Sequence, residues 1–570
     1  MKGERRNDAW RVARFALRRA GLKAFATIVA PLRLLAPTPF GSRIDRILIA
    51  PQDLRTSDPT AAGDIYSGYY AFAGKTVAAQ GKSPFSLTPP SPAWAEALNS
   101  FGWLRDIRAA DTALSRANAR TLVDDWIASR GRPDSSEAWR TSVVTRRLMS
   151  WLSHSPLILD GADRNFYRRF MTSIRRQARY LWRRSRAPDH QSGRLEAALA
   201  LAAVALCTDL GMRARRRVVR FLIKQIGREI LADGGHISRN PQALIDLLAD
   251  FLPLRHCFPT SDVPAPPELL QAIDRMMPLL RLFRHGDGTV ALFNGMGATA
   301  PDTIATLLAY QDARAGGAET AGPSGYRRLQ ADETILIMDV GRPPPEAFSL
   351  NAHAGCLSFE LSDRGEKLIV NCGAPPAGQE PRRALARATA AHSTITIADT
   401  SSCHFAPVDE DRWPAGGPVL SGPKSVSTLR ETDEVCEKIT ASHDGYVRDF
   451  GLIHNRVLTL GRDGGWLIGE DRLEPVRGKP RSRDLSALVR FHLHPSIRVE
   501  AREPEVVRLI LPSGTIWTFT SQEPVNVEDD IHFATLDGMR RASQLVVSMR
   551  TDGKPFKWSL VRDGVIPSQR

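Results

Sequence analysis

Apolar and polar positions change their period once along this chain, and the change divides it. From about residue 114 to residue 307 apolar side chains recur three and four apart, the spacing of one helix face. Helices are predicted over 116–129, 137–153, 164–184, 193–210, 213–231, 241–251 and 266–283, separated by short connectors with Gly, Pro, Asp or Ser. Helices of that length on short connections pack as antiparallel neighbours. The run 197–207 is apolar nearly all round, which suits an inner helix enclosed by the others. From about residue 334 the alternation becomes twofold over four to eight residues, as in ETILIMDVG, LSFELS, KLIVN, STITIA, NRVLTLG, GWLIGE, ALVRFHLH, VVRLIL, TIWTFTS and QLVVSMR, with turns such as RDGG and PSGT. So many short strands without helices between them predict an antiparallel β-sandwich.

The first 110 residues fit neither period. Residues 10–22, with Arg11, Arg14, Arg18 and Arg19, suit a basic amphipathic helix that docks on the fold or touches a membrane surface. Pro89, Pro90 and Pro92 in SPFSLTPPSPAW predict irregular structure. Three regions follow: 1–110, a basic helix and Pro-rich segment packed on the helices; 111–320, helical; 321–570, the sandwich.

Composition narrows the partners. The 570 residues suffice for two or three domains, and 42% hydrophobic with 24% charged residues is ordinary for a globular protein. The net charge of +15 is not ordinary. It points to a uronic or sulfated polysaccharide, a nucleic acid or an anionic membrane, or else to arginine-rich helix faces in solvent. No zinc finger, RNP-like string or helix-turn-helix signature is present, so nucleic acid is not an expected partner. The six cysteines, at 207, 257, 356, 372, 403 and 436, are scattered without a C-x-x-C pair and read as buried free thiols, although 356 and 372 can face each other across a hairpin. The longest apolar run has 11 residues, whereas a membrane span needs roughly 20. Pro31 and Arg33 interrupt the apolar part of the N-terminus, so no clear secretory signal is expected there.

The chemistry concentrates in residues 348–397. A hairpin built from LSFELS, an Asp-Arg-Gly turn and KLIVN is followed by the strand at 394–397, so Asn351, His353, Asn371 and His392 stand at strand ends. A rigid sheet can hold ligand-binding side chains steady at such ends without spending its ladder hydrogen bonds. The order Asn-Ala-His-Ala-Gly-Cys-Leu-Ser-Phe, then Asn371-Cys372-Gly373, then Thr-Ala-Ala-His-Ser-Thr resembles the heparinase II/III family of polysaccharide lyases. That family's pattern is His-x-His-x-Asp-x-x-Ser-Phe, Asp-Ser-Gly and Thr-x-Ala-His-Asn-Thr. His443-Asp444-Gly445-Tyr446 and His454-Asn455-Arg456 are further landmarks of the resemblance.

The resemblance implies an incomplete (α/α) toroid followed by a β-sandwich, work at the cell envelope or periplasm, and β-elimination on an acidic, uronate-containing polysaccharide without a required cofactor. That reaction needs a group to neutralise the uronate carboxylate, a base for the C5 proton and an acid for the leaving oxygen. The family's helical-domain Asn-His pair falls on Asp189-His190, where His190 can neutralise or accept a proton. Asp189 would repel a substrate carboxylate unless a cation or Arg194 intervened, and otherwise it or Ser192 caps the next helix. At the family's catalytic Tyr and its neighbouring His stand Ala243 and Leu244, neither of which moves a proton. His236 and Tyr446 are the candidate replacements, against a turn histidine and a sheet-packing tyrosine. Asn351, in place of the first His, can orient a carboxylate but not act as a base. His353, Asn371 and His392 fall where some relatives bind a structural zinc, or they pin inner loops by hydrogen bonds. The glycine-rich stretch at 283–288 and Asn294 either line an interdomain cleft or form a plain turn, and His492 with His494 share one strand face open to a metal or to solvent. Two functions remain: a lyase, or a glycan-binding protein of the cell envelope on the same scaffold without turnover.

Overall fold

In the computed structural model, which describes residues 2–187, 190–310, 322–408, 416–476 and 485–565, the helix Arg194–Cys207 is enclosed by its neighbours, with every residue from Ala197 to Cys207 buried. Helices Thr141–Ser153, Arg164–Arg184, Met212–Glu229 and Pro241–Thr260 pack around it. Its alanines let those helices approach closely, and each buried leucine contributes about 1.5–3 kcal/mol. Helix Arg164–Arg184 shows why the charge does not disturb the core. Phe166, Phe170, Ile174 and Leu181 face inward, most of the arginines face outward, and Asp163 caps the N-terminus by accepting from the Asn165 and Phe166 amides at 2.7 and 2.9 Å. The helices form the incomplete toroid expected.

One cation is inside that core. Arg147 is fully buried, its guanidinium 3.9 Å from the Trp126 ring centroid, and it donates to Gln177 Oε1 at 2.8 Å and to the Asn99 and Ala138 carbonyls at 2.9 Å. These acceptors replace part of the water it gives up, and Nη2 is buried without a hydrogen-bond partner among the described residues.

The N-terminal region is more regular than its prolines suggest. Pro92 occupies the first turn of a helix, Pro92–Ser100, capped by Ser91, a position where a missing amide hydrogen costs nothing. Residues from Phe40 to Ile107 join the helical core. The N-terminal helix runs Lys2–Leu35, well beyond 10–22. Among the described residues no helix is long and apolar enough to cross a membrane.

The second half is two antiparallel sheets face to face. One orders its strands as Val426–Thr432, Cys436–His443, Leu452–Gly461, Trp466–Pro475, Phe556–Arg562, Ile516–Ser521, Val506–Ile510 and Arg498–Glu503. The other orders them as Val525–His532, Arg540–Met549, Ala487–Leu493, Glu366–Val370, Phe359–Asp363, Thr334–Asp339 and Tyr326–Ala331, with Ile395–Ile397 also pairing Ala487–Leu493. Phe359, Phe491, Trp517, Phe519 and Trp558 fill the space between them. A charged cluster lies within it: Arg456 Nε and Nη2 donate to Asp471 at 2.7 and 3.0 Å, while His454 Nε2 lies 2.8 Å from the same carboxylate. The six cysteines are free thiols.

Helices and sandwich are fastened through buried polar groups. Arg239, after the Asp-Gly-Gly-His turn, stacks 4.8 Å from the Tyr326 ring centroid, pairs with Asp339 and donates to the Ser324 and Arg342 carbonyls at 2.6 and 2.9 Å. His285 lies between Ser362 Oγ at 2.8 Å and Glu360 Oε2 at 3.1 Å, so the stretch at 283–288 is a connecting turn pinned to the sheet.

Candidate ligand-binding cleft

A cleft of about 840 Å³ opens where the helices meet a loop of the sandwich. Arg146, Tyr180, Arg184, His190 and Glu196 line it from the helical side, and Ala377 from the other. His190 is held there by its connector. Its amide donates to the Ala187 carbonyl at 3.1 Å, and Arg194 folds back to donate to the His190 and Ala187 carbonyls. Arg194, expected to bind substrate, therefore clamps the turn, and it is not among the residues that line the cleft. Asp189 lies outside the described residues.

Gly193 has φ +72°, and a Cβ there would lie 3.9 Å from both His190 Nε2 and Glu196 Oε2. Imidazole and carboxyl thus both lie against the space that a side chain at this position would fill. Burial, with Glu229 behind it, holds the Glu196 carboxyl above its ordinary range, and His236 acts in the opposite sense. Behind the cleft wall His236 Nδ1 is 2.7 Å from Ser238 Oγ and its Nε2 is 3.6 Å from Glu229 Oε2. His236 is buried, so it supports the wall and does not line the cleft. Glu196 was not legible in the sequence, because a single Glu opening an apolar helix looks like first-turn charge.

The cleft continues outward. A second groove of about 700 Å³ shares Tyr180 and Arg184 with it and is lined by Arg175, Arg176, Arg179 and Arg183, with Ala26 of the N-terminal helix across from them. Tyr180 donates to the Trp139 carbonyl at 2.6 Å and Arg176 to the Gly131 carbonyl at 2.6 Å, which fixes part of this row. The result is a basic track leading to His190.

The sandwich candidates separate. Asn351 is exposed, its Oδ1 accepting from Arg383 Nη2 at 3.3 Å. A Cβ on Gly295 would come within 2.5 Å of the Asn351 carbonyl oxygen and 3.3 Å of Asn240 Nδ2, so Asn351 packs beside the start of helix Pro241–Thr260, where Ala243 is half-buried and Leu244 buried. It is not among the residues lining the cleft with His190. Tyr446 is a correction: it is fully buried in the sandwich core and donates to the Ile395 carbonyl at 2.6 Å, and burial pushes its phenol far above its ordinary range. Asn294 is another, because it is buried and its amide joins Tyr326, Asp339 and the His353 backbone.

The expected zinc trio does not fit a metal as a set. His353 Nδ1 and His392 Nε2 are 3.1 Å apart and hydrogen-bond each other, and His392 Nδ1 bonds the Ala388 carbonyl at 2.8 Å. Burial holds both rings neutral, His392 being pushed down to about 4. Asn371 has its amide occupied at both ends, accepting from Ser393 N at 3.1 Å and donating to Glu360 at 3.2 Å. No anionic ligand completes the three. His492 is a further correction, since it is buried rather than on an open sheet face.

The family described as "Heparinase II/III-like, C-terminal" matches residues 314–559. FtsZ-localized protein C of Caulobacter vibrioides (strain NA1000 / CB15N) is 31% identical over 545 residues, covering 93% of this chain and 92% of that one. Among solved structures, heparinase III superposes with a TM-score of 0.69 at 13% identity, covering 92% of this chain and 88% of that chain. A mutant of heparan sulfate lyase HepC from Pedobacter heparinus superposes with a TM-score of 0.61 at 15% identity, covering 95% and 88%. At those identities the structural likenesses speak for the fold.

Proposed function

Because the chain belongs to the heparinase II/III-like family, we propose that it keeps a lyase scaffold to hold an extended acidic glycan at the cell envelope without cleaving it. The observation that carries this reading is the continuity of the arginine row with the His190 cleft through Tyr180 and Arg184. A row of guanidinium groups along a groove suits carboxylate or sulfate groups repeated along a polymer. Elimination also needs a base and an acid at the sugar. Ala243 and Leu244 supply neither, Tyr446 is buried, and Asn351 only accepts and donates hydrogen bonds. His190 and Glu196 remain to bind and orient.

The test is to incubate the purified protein with heparin, chondroitin sulfate, alginate and polygalacturonate, measuring retention and the ultraviolet absorbance of unsaturated uronate together. Retention without growing absorbance is the expected result. Absorbance that grows with time, and that His190→Ala abolishes, would establish the lyase instead.

A second reading is favoured by the relative named for its localisation with FtsZ, whose likeness spans 93% of this chain. In it the protein also assembles with FtsZ, and co-sedimentation with FtsZ polymers tests it. The N-terminal helix supports a membrane contact in either reading. Leu17 and Ile28, three turns apart and on one side, are both exposed, with Arg14, Arg18 and Arg19 exposed nearby.

A further inference from the structure

We propose that Cys372, His492 and Asp530 form a binding site for a borderline divalent cation, zinc above others, separate from the His353–His392 pair. The sheet brings them together by register. His492 pairs with Val370 on one side and Gln544 on the other, and Asp530 pairs with Ala542. Paired residues share a face, and so do residues two apart on one strand, which puts His492, Gln544, Ala542 and Asp530 on the same side. Ala542 offers only a methyl group, so the imidazole and the carboxylate meet across strand Arg540–Met549. Cys372 lies two residues past Val370, continuing that face from the exit of strand Glu366–Val370.

The contacts converge rather than relay. Cys372 Sγ is 3.3 Å from His492 Nδ1, the same nitrogen is 2.7 Å from Asp530 Oδ2, and Sγ is 3.8 Å from either carboxylate oxygen. In a nucleophile relay the thiol and the carboxylate would occupy opposite ring nitrogens. Here both crowd one nitrogen, which can satisfy only one of them by hydrogen bonding, while His492 Nε2 is buried with no hydrogen-bond partner among the described residues. The ring is therefore oriented by what lies at Nδ1. Those three ligand atoms all lie within 4.8 Å of one another.

A cation among them can take zinc distances of about 2.3 Å to sulfur and 2.0–2.2 Å to nitrogen and oxygen with small side-chain adjustments. One thiolate, one imidazole and one carboxylate select zinc over calcium or magnesium, which prefer oxygen alone. Cys372 and His492 are buried, whereas the Asp530 side chain is 13% exposed, so a water completing the fourth position enters from the Asp530 side. Such an ion would tie strand Val525–His532 to the exit of Glu366–Val370, across the two strands that lie between them.

The experiment uses the full-length protein, stripped with EDTA and titrated with Zn²⁺, and in parallel with Co²⁺. One equivalent of metal is expected, Co²⁺ giving a near-ultraviolet thiolate-to-cobalt absorption. Cys372→Ser should remove that absorption and weaken Zn²⁺ binding by more than roughly 100-fold, beyond what losing an outer-shell partner costs. Asp530→Asn, at a partly exposed strand, should weaken it as well and covers the case in which the cysteine variant does not fold. His353→Ala and Cys436→Ser should leave stoichiometry and absorption unchanged. Absence of stoichiometric uptake by the parent protein, uptake without the thiolate band, or uptake that His353→Ala removes while Asp530→Asn does not would overturn the proposal.

Discussion

His236 Nε2 lies 3.6 Å from Glu229 Oε2, and both are buried directly behind the cleft wall that carries Glu196. Two carboxyl groups and one imidazole thus share a space with little water. Among the described residues neither Glu229 oxygen has a hydrogen-bond partner. Such a layer favours retaining a proton on the carboxyl nearest the cleft.

The first prediction follows from that proton. The Glu196 pKa is raised on folding above its ordinary 4.5, by burial first and Glu229 next, so the folded state binds the proton more tightly than the unfolded chain. Stability from this group is complete below pH 4.5 and declines as pH rises through the higher folded value. Glu196→Gln should flatten that part of the profile and raise the melting temperature at pH 8 relative to pH 5, read by calorimetry. An unchanged profile would mean that the carboxyl ionises freely.

Glycan retention should depend on the arginine row. Arg179→Glu combined with Arg183→Glu is expected to weaken heparin binding at least tenfold, about 1.4 kcal/mol or more, and to lower its sensitivity to salt. Both are half-buried and neither is among the core residues of helix Arg164–Arg184, so the melting temperature should fall by far less than the affinity does.

The sandwich should fail at Asp471. Replacing it with Asn removes the carboxylate that Arg456 pairs with and leaves its buried charge uncompensated, a loss on the order of 3–5 kcal/mol. Arg456 also donates to the Leu357 and Ser393 carbonyls at 2.9 and 2.8 Å, so urea unfolding should report a lower midpoint together with early loss of near-ultraviolet signal from Trp558, whose indole donates to Asp471 at 3.0 Å.

In the helical half the sensitive position is Leu201. It is fully buried at the middle of Arg194–Cys207, and Leu201→Ala should cost about 2–5 kcal/mol because the surrounding helices cannot collapse into the gap. A cost below 1 kcal/mol by denaturant titration would show a loosely packed centre.

The proposed membrane contact should be separable from folding. Leu17→Glu with Ile28→Glu should abolish flotation with vesicles of anionic lipid while leaving the melting temperature unchanged, since both side chains are exposed.

What the sequence disclosed depended on whether burial leaves a periodic trace. Residues 197–207 announced an inner helix because every face is apolar, and Leu452–Gly461 announced a strand because its burial alternates. Val525–His532 did not, because four of its eight residues are charged or amide-bearing and it lies at a sheet edge, where charge discourages pairing with other chains. Pro92–Ser100 was hidden by prolines that start a helix rather than break one. His190 came through the family resemblance, but Glu196 beside it did not, and spacing could not reveal Cys372 and His492, which are 120 residues apart and meet only through strand register.

The rivet made by Arg239, Tyr326 and Asp339 bears on how a ligand arrives. Jaws that swing need a pliable pivot, and this one is a dehydrated cation stacked on a ring and tied to four sandwich-side oxygen acceptors. The helical wall of the cleft and the sandwich loop that faces it are therefore held at a fixed spacing. Under the glycan-holding function proposed above, capture is a matter of threading into a ready-made channel, with selectivity set by its width and its charge spacing rather than by closure around the guest.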